Sequence, residues 1–348
     1  MKPQKATRDA SIELYRVFLM LLICLLHSFQ FGLAPNKYWA NGLMWAVCGF
    51  VFISGWFGVK FSFSKWLRLL SMGLICGGIA IAIGCCLDIH ISSKDAVYII
   101  ARQWFLCAYL MLMLLAPFLN EAFERMKMSE AKWGGGGLIL PLSVLMVWNW
   151  LGSVKPWYDY GPYTPGMGAF TFVMMLTVYS LGRIVRIKYD GQASETKVQT
   201  WKIGVAIIVN LLVLVLGWRL RLGAYCSPFA MSMSVLVFFL FKRISVPHRL
   251  AAIILFIAPS MFSIYLLHSH VVGEVCIKRI QNLCITTVLP QSVFIPLSAV
   301  VVFLACLTLD LVRRAVVCPV SNRLKRLYML VDSKLEDTMS FVVSTCKS

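Results

Sequence analysis

Two residues of the first apolar stretch, Arg16 and His27, have the types and the spacing to do chemistry. An α-helix turns about 100° per residue, so eleven positions make about three turns and put both on one stripe, His27 about 16 Å beyond Arg16. Glu13, Met20, Ile23 and Gln30 fall near the same stripe. The face therefore runs carboxylate, guanidinium, apolar wall, imidazole and amide, from the inner membrane surface toward mid-membrane. Ionisable groups inside a bilayer are costly and usually face a cavity or a partner. A guanidinium pairs with phosphate through a fork of N–H donors, and an imidazole exchanges protons near neutral pH.

That order suits a long donor with an anionic head at the membrane surface and a reactive end deeper in. Coenzyme A has this shape: phosphates at one end, a flexible arm of comparable length, and a thioester at the tip. Arg16, with Lys65 and Arg68 on the next inner loop, is expected to pair the phosphates. His27, on the same stripe as Glu13 and Arg16 but deeper, is expected to take a proton from an acceptor hydroxyl as that hydroxyl attacks the thioester. The plainer alternative makes Arg16 a surface anchor and His27 a helix-packing hydrogen bonder. A covalent route would need a nucleophile, and Ser54 on the second apolar stretch is the available one.

The elements that must hold these residues are membrane helices. Of 348 residues, 59% are apolar and 14% charged, too little polar surface for a soluble chain of this size. Lys and Arg number 33 against 15 Asp and Glu, a net charge of +18. The cations are scattered between apolar runs rather than gathered on one polar domain, which argues against nucleic acid as a partner. At about 20 residues per crossing, about ten spans are expected, over 14–33, 39–59, 67–87, 97–118, 137–152, 168–186, 203–219, 224–241, 251–272 and 290–311: an all-α polytopic bundle. With the N-terminus inside, 25 of the 33 cations fall on inner segments, so both termini are expected in the cytoplasm, of a bacterial inner membrane. Residues 1–312 form the membrane domain and 313–348 a basic tail suited to an anionic leaflet. The first span, with Arg16 and His27 and no small-x-small site, is not expected to be a cleaved leader.

The twelve cysteines include no C-x-x-C pair and no histidine cluster, so no metal is expected. Cys85, Cys86, Cys226, Cys276 and Cys284 fall on one side, where a disulfide is conceivable. Gly134 to Gly137 lacks the Lys-Ser/Thr of a phosphate loop and reads as a flexible joint. His90 reads as solvated and His248 as part of an inner basic patch. The aromatic loop Trp157 to Tyr163 reads either as an interfacial belt or as a cover for an outer glycan site. Trp104, at the start of a span, has the same two readings, as does His268 with Tyr265 one turn before it; His270 reads as interfacial.

Several runs together resemble the acyltransferase family 3 membrane enzymes, which modify cell-surface glycans. Glu13-Leu14-Tyr15-Arg16 followed by ten residues and His27 is similar to the family's Arg/Lys-x10-His signature. Phe50 to Phe57, with Ser54-Gly55-Trp56-Phe57 at its end and Lys65 and Arg68 beyond, is similar to its second helix. Trp104-Phe105-Leu106 through Tyr109 to Pro117-Phe118-Leu119-Asn120, then Tyr225-Cys226-Ser227-Pro228, then Phe262 to His268, follow in the same order. The resemblance covers about residues 8–312. It implies O-acyl transfer, commonly O-acetylation, from an acyl-CoA such as acetyl-CoA, bound as a substrate rather than held as a cofactor, to a carbohydrate of the cell envelope or an exopolysaccharide. It implies roles for Arg16 and His27, a donor site including Arg68, and an acceptor role for His268. The family commonly has Asp where this chain has Glu13.

The competing expectation is a transporter or flippase in which His27 relays protons and the basic loops handle an anionic substrate. No similar halves, the usual mark of such folds, are visible. The acyl group, the sugar, the face of transfer and the oligomeric state are not legible in the residues.

Overall fold

The computed structural model describes residues 8–33, 36–92, 103–125, 144, 169–191, 199–220, 222, 224–225, 227–285 and 290–316. In chain order their helices are α1 (Ala10–Phe31), α2 (Lys37–Leu43), α3 (Trp45–Phe57), α4 (Phe63–Cys86), α5 (Trp104–Arg125), α6 (Ala169–Gly191), α7 (Thr200–Leu216), α8 (Pro228–Phe241), α9 (His248–Ile257), α10 (Met261–His268), α11 (Val271–Ile285) and α12 (Gln291–Val316). Polar residues start several of them. Asp9 accepts the Ser11 amide at 3.0 Å ahead of α1, and Ser62 and Ser227 accept amides in the first turns of α4 and α8. Pro228 occupies the first turn of α8, where its missing N–H leaves nothing unsatisfied.

Helix α1 is central, packing on α2, α3, α8, α9, α10 and α11. Tyr15 locks it in place: fully buried, it donates to the Ser234 carbonyl at 2.9 Å and sets its ring 5.2 Å from that of Phe241. Phe238, one turn back on α8, lies 4.9 Å from Trp56 and 5.0 Å from Phe52 of α3. The most extensive helix pair is α3 with α6. A Cβ at Gly55 would stand 2.2 Å from the Tyr179 carbonyl oxygen, and one at Gly182 2.6 Å from that of Phe52. Only glycine allows these backbones so close, the usual way apolar helices gain contact where lipid competes for their side chains.

Among the described residues six helices are long and apolar enough to cross a membrane: Ala10–Phe31, Trp39–Phe57, Phe63–Cys86, Trp104–Arg125, His248–His268 and Gln291–Val316. Apolar side chains such as Ile208, Leu212 and Leu216 on α7 and Val293, Leu297 and Leu304 on α12 are exposed, a surface fit for lipid. The chain is an all-α integral membrane bundle, but the expectation of about ten spans is corrected to six among the described residues. The run 203–219 folds as a helix of 17 residues that tightens into a 3-10 turn at Gly217, and 224–241 as one of 14 that starts only at Pro228. At 1.5 Å per residue these reach about 26 Å and about 21 Å, short of about 30 Å of hydrocarbon. The run 168–186 forms the longer α6, but Arg183, Arg186 and Lys188 charge its second half. The run 137–152 lies outside the described residues apart from Val144, as do Gly134 to Gly137, the loop Trp157 to Tyr163 and the tail beyond Val316.

Candidate active site

His27 lies near the end of α1 and His268 is the last residue of α10. Both are buried, at 9% and 1% exposure, and their rings meet with centroids 4.9 Å apart at 48°. The Nδ1 of His268 is bonded to the Ile264 carbonyl one turn earlier. A carbonyl only accepts, so Nδ1 carries the hydrogen and Nε2 presents a lone pair. That Nε2 and the Nδ1 of His27 are both buried without a hydrogen-bond partner. Two orphaned ring nitrogens side by side are expensive in a dry interior unless a substrate completes them.

Aromatic rings extend from this pair toward the other expected acceptor residues. Tyr265 stands perpendicular to His268 at 6.2 Å, Phe105 lies 5.5 Å from Tyr265, and Trp104 lies 5.6 Å from Phe105 and 5.5 Å from Tyr225. Trp104, Tyr265 and His268 thus belong to one region, and that region includes His27. The separation expected between an outer acceptor site at His268 and a mid-membrane His27 does not exist in the fold.

Residues absent from the sequence reading hold the region together. Gln103 donates to the Leu266 carbonyl at 3.3 Å, and the Ser269 hydroxyl lies 2.7 Å from both the Gln103 side-chain oxygen and the Tyr265 carbonyl. Gln281, fully buried on α11, donates to the Ser28 carbonyl at 3.0 Å and accepts the Leu33 amide at 2.8 Å, tying down the end of α1 that bears His27. A lone amide inside an apolar helix is the signal that points to such ties. His270 is buried rather than interfacial, and its Nδ1 accepts the Val272 amide at 3.3 Å. His90 and His248 are exposed.

Arg16 bonds Glu13 at 2.8 Å, with Glu13 buried and Arg16 one-third exposed. Lys65 and Arg68 are exposed on the first turns of α4. Ser54 back-bonds the Phe50 carbonyl at 3.0 Å and pairs with the Tyr109 hydroxyl at 3.1 Å, with no imidazole in its hydrogen bonds. Cys85, Cys86 and Cys276 are free thiols, and burial pushes the Cys276 thiol up from its ordinary pKa while Arg279 partly opposes the shift. Among the described residues no three His, Cys, Asp or Glu side chains converge as a metal site.

No curated protein and no solved structure matches the chain. The profile of the family described as "Acyltransferase domain", acyltransferase 3, matches residues 9–310. That span takes in every helix carrying the site, from His27 on α1 through Trp104 on α5 to His268 on α10, and the chain belongs to this family of membrane acyltransferases.

Proposed function

We propose that the protein transfers an acyl group, an acetyl group in the simplest case, from acyl-CoA to a hydroxyl of a cell-surface or exopolysaccharide glycan or its lipid-linked precursor. The observation that carries this reading is the pair His27 and His268, buried, in contact, and each with an unpartnered ring nitrogen. As the acceptor oxygen attacks the thioester carbonyl, His27 takes the hydroxyl proton. The carbon–sulfur bond then breaks, and the proton goes to the leaving thiolate. His268, with its Nε2 lone pair fixed by the Ile264 bond, accepts a hydrogen bond from a neighbouring sugar hydroxyl, and Tyr265 and Trp104 offer ring faces to the sugar. Arg16 and Glu13 support the surface end of the same helix. Lys65 and Arg68 add positive charge where an anionic donor arrives, and Ser54, paired with the Tyr109 hydroxyl on α5, belongs to the donor side. The four cations of residues 1–16 and the seven of residues 313–347 favour both termini in the cytoplasm of a bacterial inner membrane.

The test uses purified protein, acetyl-CoA labelled in the acetyl group, and glycan from cells lacking the protein. Label should move to the glycan with wild type and not with His27→Ala. If wild type leaves acetyl-CoA intact with a competent acceptor, the reading fails. Label carried across the membrane still attached to coenzyme A would instead mean transport.

A further inference from the structure

Arg183 of α6 is as buried as His27, at 9% exposure, and the described partners do not settle it. Its carboxylate neighbour Glu124 stands 3.4 Å from Nη2 and is itself two-thirds exposed, so water screens most of that attraction. Its Nε–H has no partner. A buried guanidinium with an unsatisfied donor costs more than a neutral group in the same place, because the charge has lost water and gained little.

The surroundings are built to hold that side chain where it is. Gly58 follows α3 with φ +69, and a Cβ there would stand 2.6 Å from Nη1 of Arg183. The turn is pinned by three bonds: Val59 N–H to the Tyr179 hydroxyl at 2.9 Å, the Tyr179 hydroxyl to Asn120 Oδ1 at 2.8 Å, and Asn120 Nδ2 to the Val59 carbonyl at 2.9 Å. One turn along α6, Arg186 lies 5.0 Å from the ring of Trp56, and Lys242 lies 4.5 Å from the same ring and 3.6 Å from that of Tyr189. Arg183, Arg186 and Lys242 therefore gather at the end of α3, and the carboxylate paired with Arg183 is the exposed, screened one of Glu124.

We propose that Arg183 and Lys242, with Arg186 beside them, bind a phosphoryl group, and that the group belongs to the acyl-CoA donor; this source rests on the acyltransferase reading above. Position supports it. Lys242 follows Phe241, whose ring touches Tyr15, so the cluster lies at the Arg16 end of α1. From there to His27 the helix rises about 16 Å, a distance the flexible arm of coenzyme A can cover. Chemistry supports it as well. Arg16, the residue first expected to take the phosphates, is already bonded to Glu13 at 2.8 Å, whereas Arg183 keeps a donor unspent. The same phosphoryl chemistry is offered by an anionic lipid headgroup, so the test has two arms.

In nanodiscs of phosphatidylcholine alone, acetyl-CoA and acetyl-pantetheine, which lacks the phosphates, are titrated against wild type, R183Q, R183K and K242Q. In parallel, retention of phosphatidylglycerol by each protein is measured by native mass spectrometry. R183Q should weaken acetyl-CoA binding about tenfold to a hundredfold, the effect of losing a charge-assisted bond. R183K should recover part of it, and acetyl-pantetheine should bind all four proteins alike. Lys242 is partly exposed at the end of α8, so K242Q should weaken acetyl-CoA in the same direction even if R183Q does not fold. Unchanged acetyl-CoA affinity and unchanged phosphatidylglycerol retention in both variants overturn the site. Unchanged acetyl-CoA affinity with lost phosphatidylglycerol retention overturns the donor assignment and identifies the anion as lipid. If wild type binds no acetyl-CoA at all, the acyltransferase reading fails, and the lipid arm alone decides the phosphoryl site.

Discussion

His27 and His268, 241 residues apart in sequence, place their rings 4.9 Å apart inside the bundle, and the hydrogen on His268 is fixed by a bond to its own helix. The contact joins α1 to α10. It makes neighbours of two histidines that the order of the apolar runs would set at different depths of the membrane.

The two histidines should fail differently. His27→Ala is expected to lower the transfer rate by about 10²- to 10⁴-fold, the range of a lost general base, with acetyl-CoA affinity kept. His268→Ala is expected to raise the KM for the glycan more than that for acetyl-CoA. Steady-state kinetics with each substrate varied in turn reads both, and equal effects on the two KM values would remove His268 from the acceptor side.

Arg16 and Glu13 should behave as a coupled pair. Arg16→Ala leaves the buried Glu13 carboxylate unpaired and should cost about 1–2 kcal/mol, less than a fully buried pair because Arg16 is one-third exposed. Glu13→Gln combined with Arg16→Ala should recover much of that loss in detergent unfolding curves. Additive single effects would show that the bond contributes nothing.

The second ion pair lies deeper. Asp310 is fully buried and bonds Arg313 at 2.7 Å, and Arg313 also reaches the Ser263 hydroxyl at 3.3 Å. Asp310→Asn should destabilise the fold by about 3–5 kcal/mol, as expected when one partner of a buried pair is neutralised. Replacing both residues with leucine should cost less than Asp310→Asn alone, read as the midpoint of thermal unfolding.

Gly55→Ala should separate α3 from α6, because its methyl would enter the Tyr179 carbonyl. Overpacking of this kind costs about 1–3 kcal/mol and here also moves Arg183. Gly78→Ala, on a helix face with open space, is the matched control and should hold or slightly raise the melting temperature.

Cys276 offers a pH readout outside the spanning helices. The thiolate is the form that reacts with maleimide. Burial raises the Cys276 pKa above its ordinary 9.0, so less thiolate is present at any pH below that. Its labelling should therefore be slow at neutral pH and still climbing above pH 9, measured by mass spectrometry of the labelled peptide. A plateau below pH 9 would contradict the burial.

The sequence by itself determined the membrane class, the family and the stripe that carries Arg16 and His27, because each depends on composition, local order or helical period. Helix number was less legible. Hydropathy along 203–219 and 224–241 looks like a crossing, but where a helix breaks, at Gly217, or starts, at Pro228, depends on local geometry that hydropathy does not measure. The tertiary structure alone decided which distant groups meet. His268 reaches His27 because Gln103, Ser269 and Gln281 tie α1, α5, α10 and α11 together at one end. Arg183 is buried because Gly55 and Gly182 let two helices close on each other. Neither pairing follows from spacing along the chain, since both are set by packing between segments far apart in sequence.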